Sequence, residues 1–305
     1  MFQTFVEQPV FNLLEFIYAI LPGHDLGVAI IIFTVLVRLA LWPLVKRQLH
    51  QARAMRKLQP QLKKIKKEAG SDKQKLARLQ MELYKEHGIK PFATIGTLIV
   101  QIPIFIALYQ SINKLIKDPN TLLTFSYDWV RNLDWIQTLA SDISKFEHTL
   151  LGLVDLSRTG MGNAGIYIPA IILALIASIV QYYQSKMMLP DSKDSKKLSD
   201  ILKSAAAGNE AEQSDVSAAV SRSMLYFLPI FTFMFGLVIP AALTLYLLTS
   251  ALVGCLQQYY VLNQDKEELE EISEEKDEIK VTKKVANTSK NKKSKKSSTR
   301  KKRRK

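Results

Sequence analysis

Apolar residues in this chain gather into runs near twenty residues long, of which residues 27–45 and 166–188 are the plainest. That is the length an α-helix needs to cross ~30 Å of hydrocarbon at ~1.5 Å per residue. Backbone groups surrounded by lipid have no water to bond, and a helix satisfies them within one segment. The runs therefore predict an all-α, polytopic membrane protein. Five spans are expected, at residues 26–45, 91–116, 166–188, 223–239 and 241–262, the last two parted by a short turn at Pro240.

What lies between the spans sets their direction. Residues 46–90 hold fourteen basic and four acidic side chains, whereas residues 118–165 hold three and six. Lys and Arg resist translocation, so the 46–90 segment is expected in the cytoplasm. Alternation then puts residues 1–25 and 117–165 outside, and residues 189–222 and 263–305 inside. The expected location is a bacterial plasma (inner) membrane, with the N-terminus out and the C-terminus in the cytoplasm.

The 46–90 segment also has helical order. Leu49, Ala52, Met55, Leu58, Leu62 and Ile65 recur at three- and four-residue steps, Gly70, Ser71 and Asp72 break the pattern, and Leu76, Leu79 and Leu83 resume it. An antiparallel helical hairpin burying Leu58, Leu62, Leu79 and Leu83 is the expectation, with Pro60 interrupting its first helix. At the N-terminus, residues 1–20 lack both a basic n-region and a small-residue cleavage site. Phe5, Val6, Val10, Phe11, Leu14, Phe16, Ile17 and Ile20 interleave there with Gln3, Glu7, Gln8, Asn12 and Glu15. That mixture predicts a helix lying in the membrane interface rather than crossing it.

The formal net charge of +14 is lopsided, since eleven of the forty-two Lys and Arg residues fall in the last eighteen positions with no acid among them. They are Lys290, Lys292, Lys293, Lys295, Lys296, Arg300, Lys301, Lys302, Arg303, Arg304 and Lys305. Mixed with Ser, Thr and Asn alone, they cannot fold by themselves and form an arm for an anionic partner, either lipid headgroups or nucleic acid. A single cysteine, Cys255, excludes a disulfide within the chain.

Polar residues inside the spans carry the chemistry. Arg38 stands seven residues from the end of its run at Val45, roughly 10 Å by helical rise. It either snorkels to the headgroups or faces a water-filled cavity within the bundle. Gln101 and Gln181 lie at a similar depth in other spans, so a shared hydrophilic pocket open to the cytoplasm is the economical arrangement; taken singly, each Gln serves equally well as an interhelical hydrogen bond. No phosphate loop, His-Glu-x-x-His or Gly-x-Ser-x-Gly signature occurs, and the four His residues, at 24, 50, 87 and 148, are scattered. No enzymatic activity, cofactor or metal is expected.

Several dispersed segments in order carry a resemblance: Thr34-Val35-Leu36-Val37-Arg38-Leu39 with Pro43, Met55-Arg56-Lys57-Leu58-Gln59-Pro60-Gln61-Leu62-Lys63, Glu82-Leu83-Tyr84-Lys85-Glu86-His87-Gly88, Gln101-Ile102-Pro103-Ile104-Phe105 and Leu243-Thr244-Leu245-Tyr246. Together they resemble the YidC membrane protein insertase family, which has relatives in mitochondria and chloroplasts, in its five-span form without a large periplasmic domain. The resemblance implies a hydrophilic groove around Arg38, lined by Gln101, Gln181, Gln184 and Tyr246, that receives nascent membrane proteins and releases their apolar segments into lipid. It also implies a mobile cytoplasmic hairpin and a tail that holds the ribosome, with membrane lipids, the Sec translocon and the signal recognition particle receptor as further partners. The chain departs from the family pattern at Leu247 and Ala251, and at Thr97 or Leu98 where the family has an extra proline. Two readings from other classes compete: a secondary transporter or channel with Arg38 as an anion site, and a membrane anchor for nucleic acid.

Overall fold

Asp25 opens the first long apolar helix as an N-cap, its Oδ1 accepting the Val28 N–H at 2.8 Å. In the computed structural model, which describes residues 1–70, 72–88, 95–117, 121–162, 165–188, 213–261 and 263–264, helix α1 spans Gln8–Ile20 and is preceded by a π-turn at Gln3–Glu7. Helix α2 then runs Leu26–Ala40 and α3 Trp42–Ala69. The first apolar run is thus not one straight helix, because α2 and the start of α3 meet at Leu41 with a bend of 64°. Pro43 has no N–H for the carbonyl four residues back and its ring crowds that carbonyl, but it fits the first turn of a new helix. As a result Arg38 lies in the last turn of α2, not midway along a longer span.

Helix α3 continues without a break through Pro60 and pairs with α4, Lys73–Glu86, which Asp72 caps by accepting the Lys75 N–H at 2.9 Å. Pro60 is exposed, so the carbonyl its ring deprives of a donor can turn to water. Leu58 and Leu83 are buried together, with Met55, Leu62, Ile65 and Tyr84 packed on them. Leu79 is half-buried and lies outside that cluster. The Tyr84 hydroxyl is pushed up from its ordinary pKa by burial.

Helix α5, Ile95–Lys117, leads through three short helices, α6 (Thr121–Thr124), α7 (Asp128–Arg131) and α8 (Asp134–Ser141), into two small antiparallel hairpins. The first pairs β1 (Thr149–Leu150) with β2 (Val154–Asp155), and the second pairs β3 (Met161–Gly162) with β4 (Gly165–Ile166). Helices α9 (Ile168–Met188), α10 (Gln213–Val238) and α11 (Ala241–Val261) complete the described chain. Among the described residues α9 and α11 are long and apolar enough to cross a membrane, and α2 with the start of α3 makes a third if the bent pair is one span. Leu225–Val238 is apolar but shorter.

Small residues let α9 and α10 approach closely. A Cβ on Gly236 would stand 2.9 Å from Ala174 Cβ, and Ala170, Ala174 and Ala177 are buried along the same face of α9. Ser178 Oγ donates to the Pro229 carbonyl at 2.9 Å. The core joins Phe11 and Leu14 of α1, Ile30 and Phe33 of α2, Leu108 and Ile112 of α5 and Tyr246 of α11, all essentially inaccessible to solvent.

Helix α1 and the turn before it bury polar residues together with apolar ones, Phe11, Leu14 and Ile17 among the latter. Glu7, Asn12 and Glu15 are 4%, 1% and 1% exposed, whereas Phe5 is 76% and Ile20 57% exposed. The polar residues point inward because they clamp the chain that follows α6. Gln8 Nε2 donates to the Phe125 carbonyl at 3.2 Å, Asn12 Oδ1 accepts the Tyr127 N–H at 2.5 Å, and Glu15 Oε2 accepts the Ser126 hydroxyl at 2.5 Å. Glu7 pairs with Lys114 of α5, whose ammonium also sits 3.8 Å over the Phe125 ring. Burial pushes the Glu15 carboxyl up to about 7, against the lowering effect of the Ser126 hydroxyl.

The chain divides into two units, Met1–Gln258 and Tyr259–Lys305. The architecture above is that of the first. In the second, Gln264 Nε2 donates to the Tyr260 hydroxyl at 2.9 Å. The basic residues from Lys290 to Lys305 and the 189–212 segment lie outside the described residues.

Candidate functional site

Several polar side chains in the apolar helices satisfy themselves on the preceding turn. Thr34 donates to the Ile30 carbonyl, Ser111 to Ala107 and Thr249 to Leu245, at 2.6, 2.7 and 2.9 Å. A residue bonded in this way is neutral to its surroundings and marks no site. Others reach across to another helix.

Helix α11 carries several of these on one face. Tyr246, Ser250, Gly254 and Gln257 recur at steps of four, four and three residues, which stacks them along one side of a helix. Arg38 of α2 reaches Ser250, its Nε donating to the hydroxyl at 2.9 Å and its Nη2 donating to the same oxygen. The bend at Leu41 leaves the Arg38 carbonyl in a final turn without an intrahelical donor, and Gln257 Nε2 supplies one at 3.0 Å. Gln257 is 6% exposed, and its Oε1 has no hydrogen-bond partner among the described residues.

Two further helices converge on the same face. Gln101 of α5 donates to the Tyr246 hydroxyl, one turn from Ser250, and the Tyr246 ring lies 6.1 Å from that of Phe105. Gln184 of α9 lies against Gly254. A side chain on Gly254 would overlap the Gln184 amide, and its Cβ would come within 3.7 Å of Arg38 Nη1. Arg38, Gln101, Gln184 and Tyr246 are thus brought to one stripe, through residues of α11 that the sequence reading did not single out. Gln181 is not, since its Nε2 donates along its own helix to Ser185 at 3.4 Å. Cys255, beside the stripe, points to the Val180 carbonyl at 3.9 Å.

Chemically the stripe is a set of neutral donors and acceptors around one cation. Among the described residues no carboxylate lies within ion-pair distance of Arg38, so its charge is answered by a hydroxyl and left available to an anion. A charge in a partly dehydrated setting attracts an opposite one far more strongly than it would in water. No group of three or more His, Cys, Asp or Glu side chains able to hold a metal occurs among the described residues. The spacing of Ser250, Gly254 and Gln257 from Tyr246 puts them on one helix face, but nothing in the sequence marks that face as the one that meets Arg38.

A family model described as 60Kd inner membrane protein matches residues 16–268. The membrane protein insertase YidC of Tolumonas auensis is 30% identical over 261 residues, covering 85% of this chain and 36% of that protein. That of Methylobacterium nodulans is 26% identical over 267 residues, covering 87% and 37%, and that of Psychromonas ingrahamii is 41% identical over 113 residues, covering 37% and 20%. The chain therefore spans little more than a third of the length of such relatives at most. With a match from the end of α1 through all of α11, the chain belongs to the 60Kd inner membrane protein family, the family of the YidC membrane protein insertases.

Proposed function

We propose that this chain is a membrane protein insertase. The observation that carries the reading is the guanidinium of Arg38, which meets no carboxylate among the described residues and is held by Ser250 among apolar helices with Gln101, Gln184 and Tyr246 on the same stripe. In this reading the stripe lines a groove open to the cytoplasm. The polar end of a nascent membrane protein enters it, and its apolar segment leaves along neighbouring helices into lipid, so that burial of the substrate drives the work. The protein has five spans, counting α5 and α10, in the plasma membrane of a bacterium, with the N-terminus outside and the α3–α4 hairpin and the tail in the cytoplasm.

The basic tail, Lys290 through Lys305, holds the ribosome near the groove, since dense phosphate favours binding driven by counterion release. Membrane lipids surround the helices; the Sec translocon and the signal recognition particle receptor are further partners in delivery. Removing the last eighteen residues is expected to abolish salt-sensitive co-sedimentation with empty ribosomes. The function itself is tested by supplying this chain to cells depleted of their essential insertase. Small one- and two-span proteins should again reach the membrane, and failure with every client would return the transporter reading to first place.

A further inference from the structure

The loop that joins β1 to β2 is bare and apolar. From Thr149 to Val154 it reads Thr-Leu-Leu-Gly-Leu-Val without a charge, and it closes on a Leu153 N–H to Leu150 carbonyl bond of 2.9 Å. Leu151 is 67% and Leu153 78% exposed. Leu151 also takes φ of +52°, in the left-handed region where Gly or Asn is at ease and Leu is uncommon. A strained leucine whose side chain meets little of its own molecule fits a contact made outside it.

The height of this loop is fixed by two helix starts. Asp25, whose Oδ1 caps α2, uses its Oδ2 to accept the Leu151 N–H. Leu150 lies directly on Gly27, where a Cβ would meet the Leu150 side chain 2.7 Å away and its Cα 2.9 Å away. On the other side the Asp155 N–H donates to the Tyr167 hydroxyl at 2.8 Å, and Tyr167 immediately precedes α9. The loop therefore hangs at the level where both helices begin. Exposed apolar residues continue on β4 and the start of α9, with Ile166 69%, Ile168 64% and Ile172 51% exposed.

We propose that the β1–β2 loop is an interfacial anchor, with Leu151 and Leu153 seated in the headgroup and acyl boundary of the leaflet that α2 and α9 enter. A lipid surface is the occupant, because the loop is uncharged, apolar and level with the ends of two helices that continue into the bilayer. Through Asp25 the anchor also sets the height of α2, and with it Arg38. The inference rests on the reading of α2 and α9 as membrane-spanning.

The test uses the full chain with Cys255→Ser as background, carrying one spin label at a time through Leu151→Cys, Leu153→Cys, Ile172→Cys or Lys85→Cys. Each protein is reconstituted into phosphatidylcholine–phosphatidylglycerol vesicles, and collisions with oxygen and with a water-soluble nickel chelate are compared. Labels at 151 and 153 are expected to favour oxygen, as the label at 172 does, while that at 85 favours nickel. If 172 favours oxygen but both loop labels favour nickel, the anchor is overturned and the membrane reading stands. Nickel preference at 172 as well overturns both.

Discussion

Arg38 and Ser250, 212 positions apart in sequence, are joined by two donors on one acceptor: Nε, at 2.9 Å, and Nη2 both bond the Ser250 hydroxyl. The grip fixes the guanidinium without neutralising it. Arg38→Ala should therefore impair insertion of clients whose translocated segment is acidic, and Arg38→Lys should be largely tolerated, since the charge persists without the fork. Ser250→Ala keeps the charge but loosens it, and a slowing of roughly tenfold is expected, the equivalent of a charge-assisted hydrogen bond of ~1.5 kcal/mol. Protease protection of labelled clients in proteoliposomes measures all three. Wild-type rates for Arg38→Ala would end the charge-attraction mechanism.

Gly254 gives an independent check on the geometry. A methyl group there strikes the Gln184 amide, the movable end of a side chain, and lies beside Arg38 Nη1. The expected outcome for Gly254→Ala is little change in thermal stability with a several-fold loss of insertion, because the displaced amide crowds the guanidinium. Adding Gln184→Ala removes the obstruction and should restore most of the lost rate. If the second substitution deepens the defect instead, Gln184 acts on the substrate in its own right.

The sequence made some of this readable and hid the rest for physical reasons. Hydropathy and the three- and four-residue steps leading to Leu58 and to Leu83 pointed to a mostly helical chain, since both signals are local. Pro43 was visible, but whether a proline bends a helix or begins a new one depends on what packs around it. The burial of Glu7, Asn12 and Glu15 was not readable, because they turn inward only to meet Lys114 and the 125–127 segment, more than a hundred residues away. Arg38 and Gln101 stood out by type, whereas Ser250 and Gly254, common in apolar helices, acquire meaning only from what faces them.

The hairpin has a small core that can be attacked without touching the spans. Leu58 is 3% and Leu83 7% exposed, and each faces the other. Leu58→Asp should remove ~2–5 kcal/mol from the α3–α4 pairing, as core truncations do, with the cost of burying a carboxylate added. Limited proteolysis is then expected to cut within residues 46–88 while the helices after Ile95 stay protected. Leu79→Asp, at a half-buried position outside the cluster, should do much less. Equal resistance of the Leu58 variant and the wild type would mean that this core does not hold the hairpin.

Glu15 predicts how stability depends on pH. It is 1% exposed, its Oε1 has no hydrogen-bond partner among the described residues, and its carboxyl titrates near 7 instead of 4.5. Lys114 of α5 pairs with Glu7. Between 4.5 and 7 the native state keeps a proton that the unfolded chain has released, so stability falls as pH rises through that window and levels off above it. The contribution present below 4.5 and lost above 7 amounts to about 3 kcal/mol. Glu15→Gln keeps an acceptor for the Ser126 hydroxyl and carries no charge to bury. Thermal melting in detergent should therefore show the variant more stable than wild type at pH 8, the two converging near pH 4, and most of the fall between those limits should vanish from the variant's curve. A wild-type curve that stays flat between pH 4.5 and 7 would mean that the Glu15 carboxylate is already ionised in the folded protein over that range.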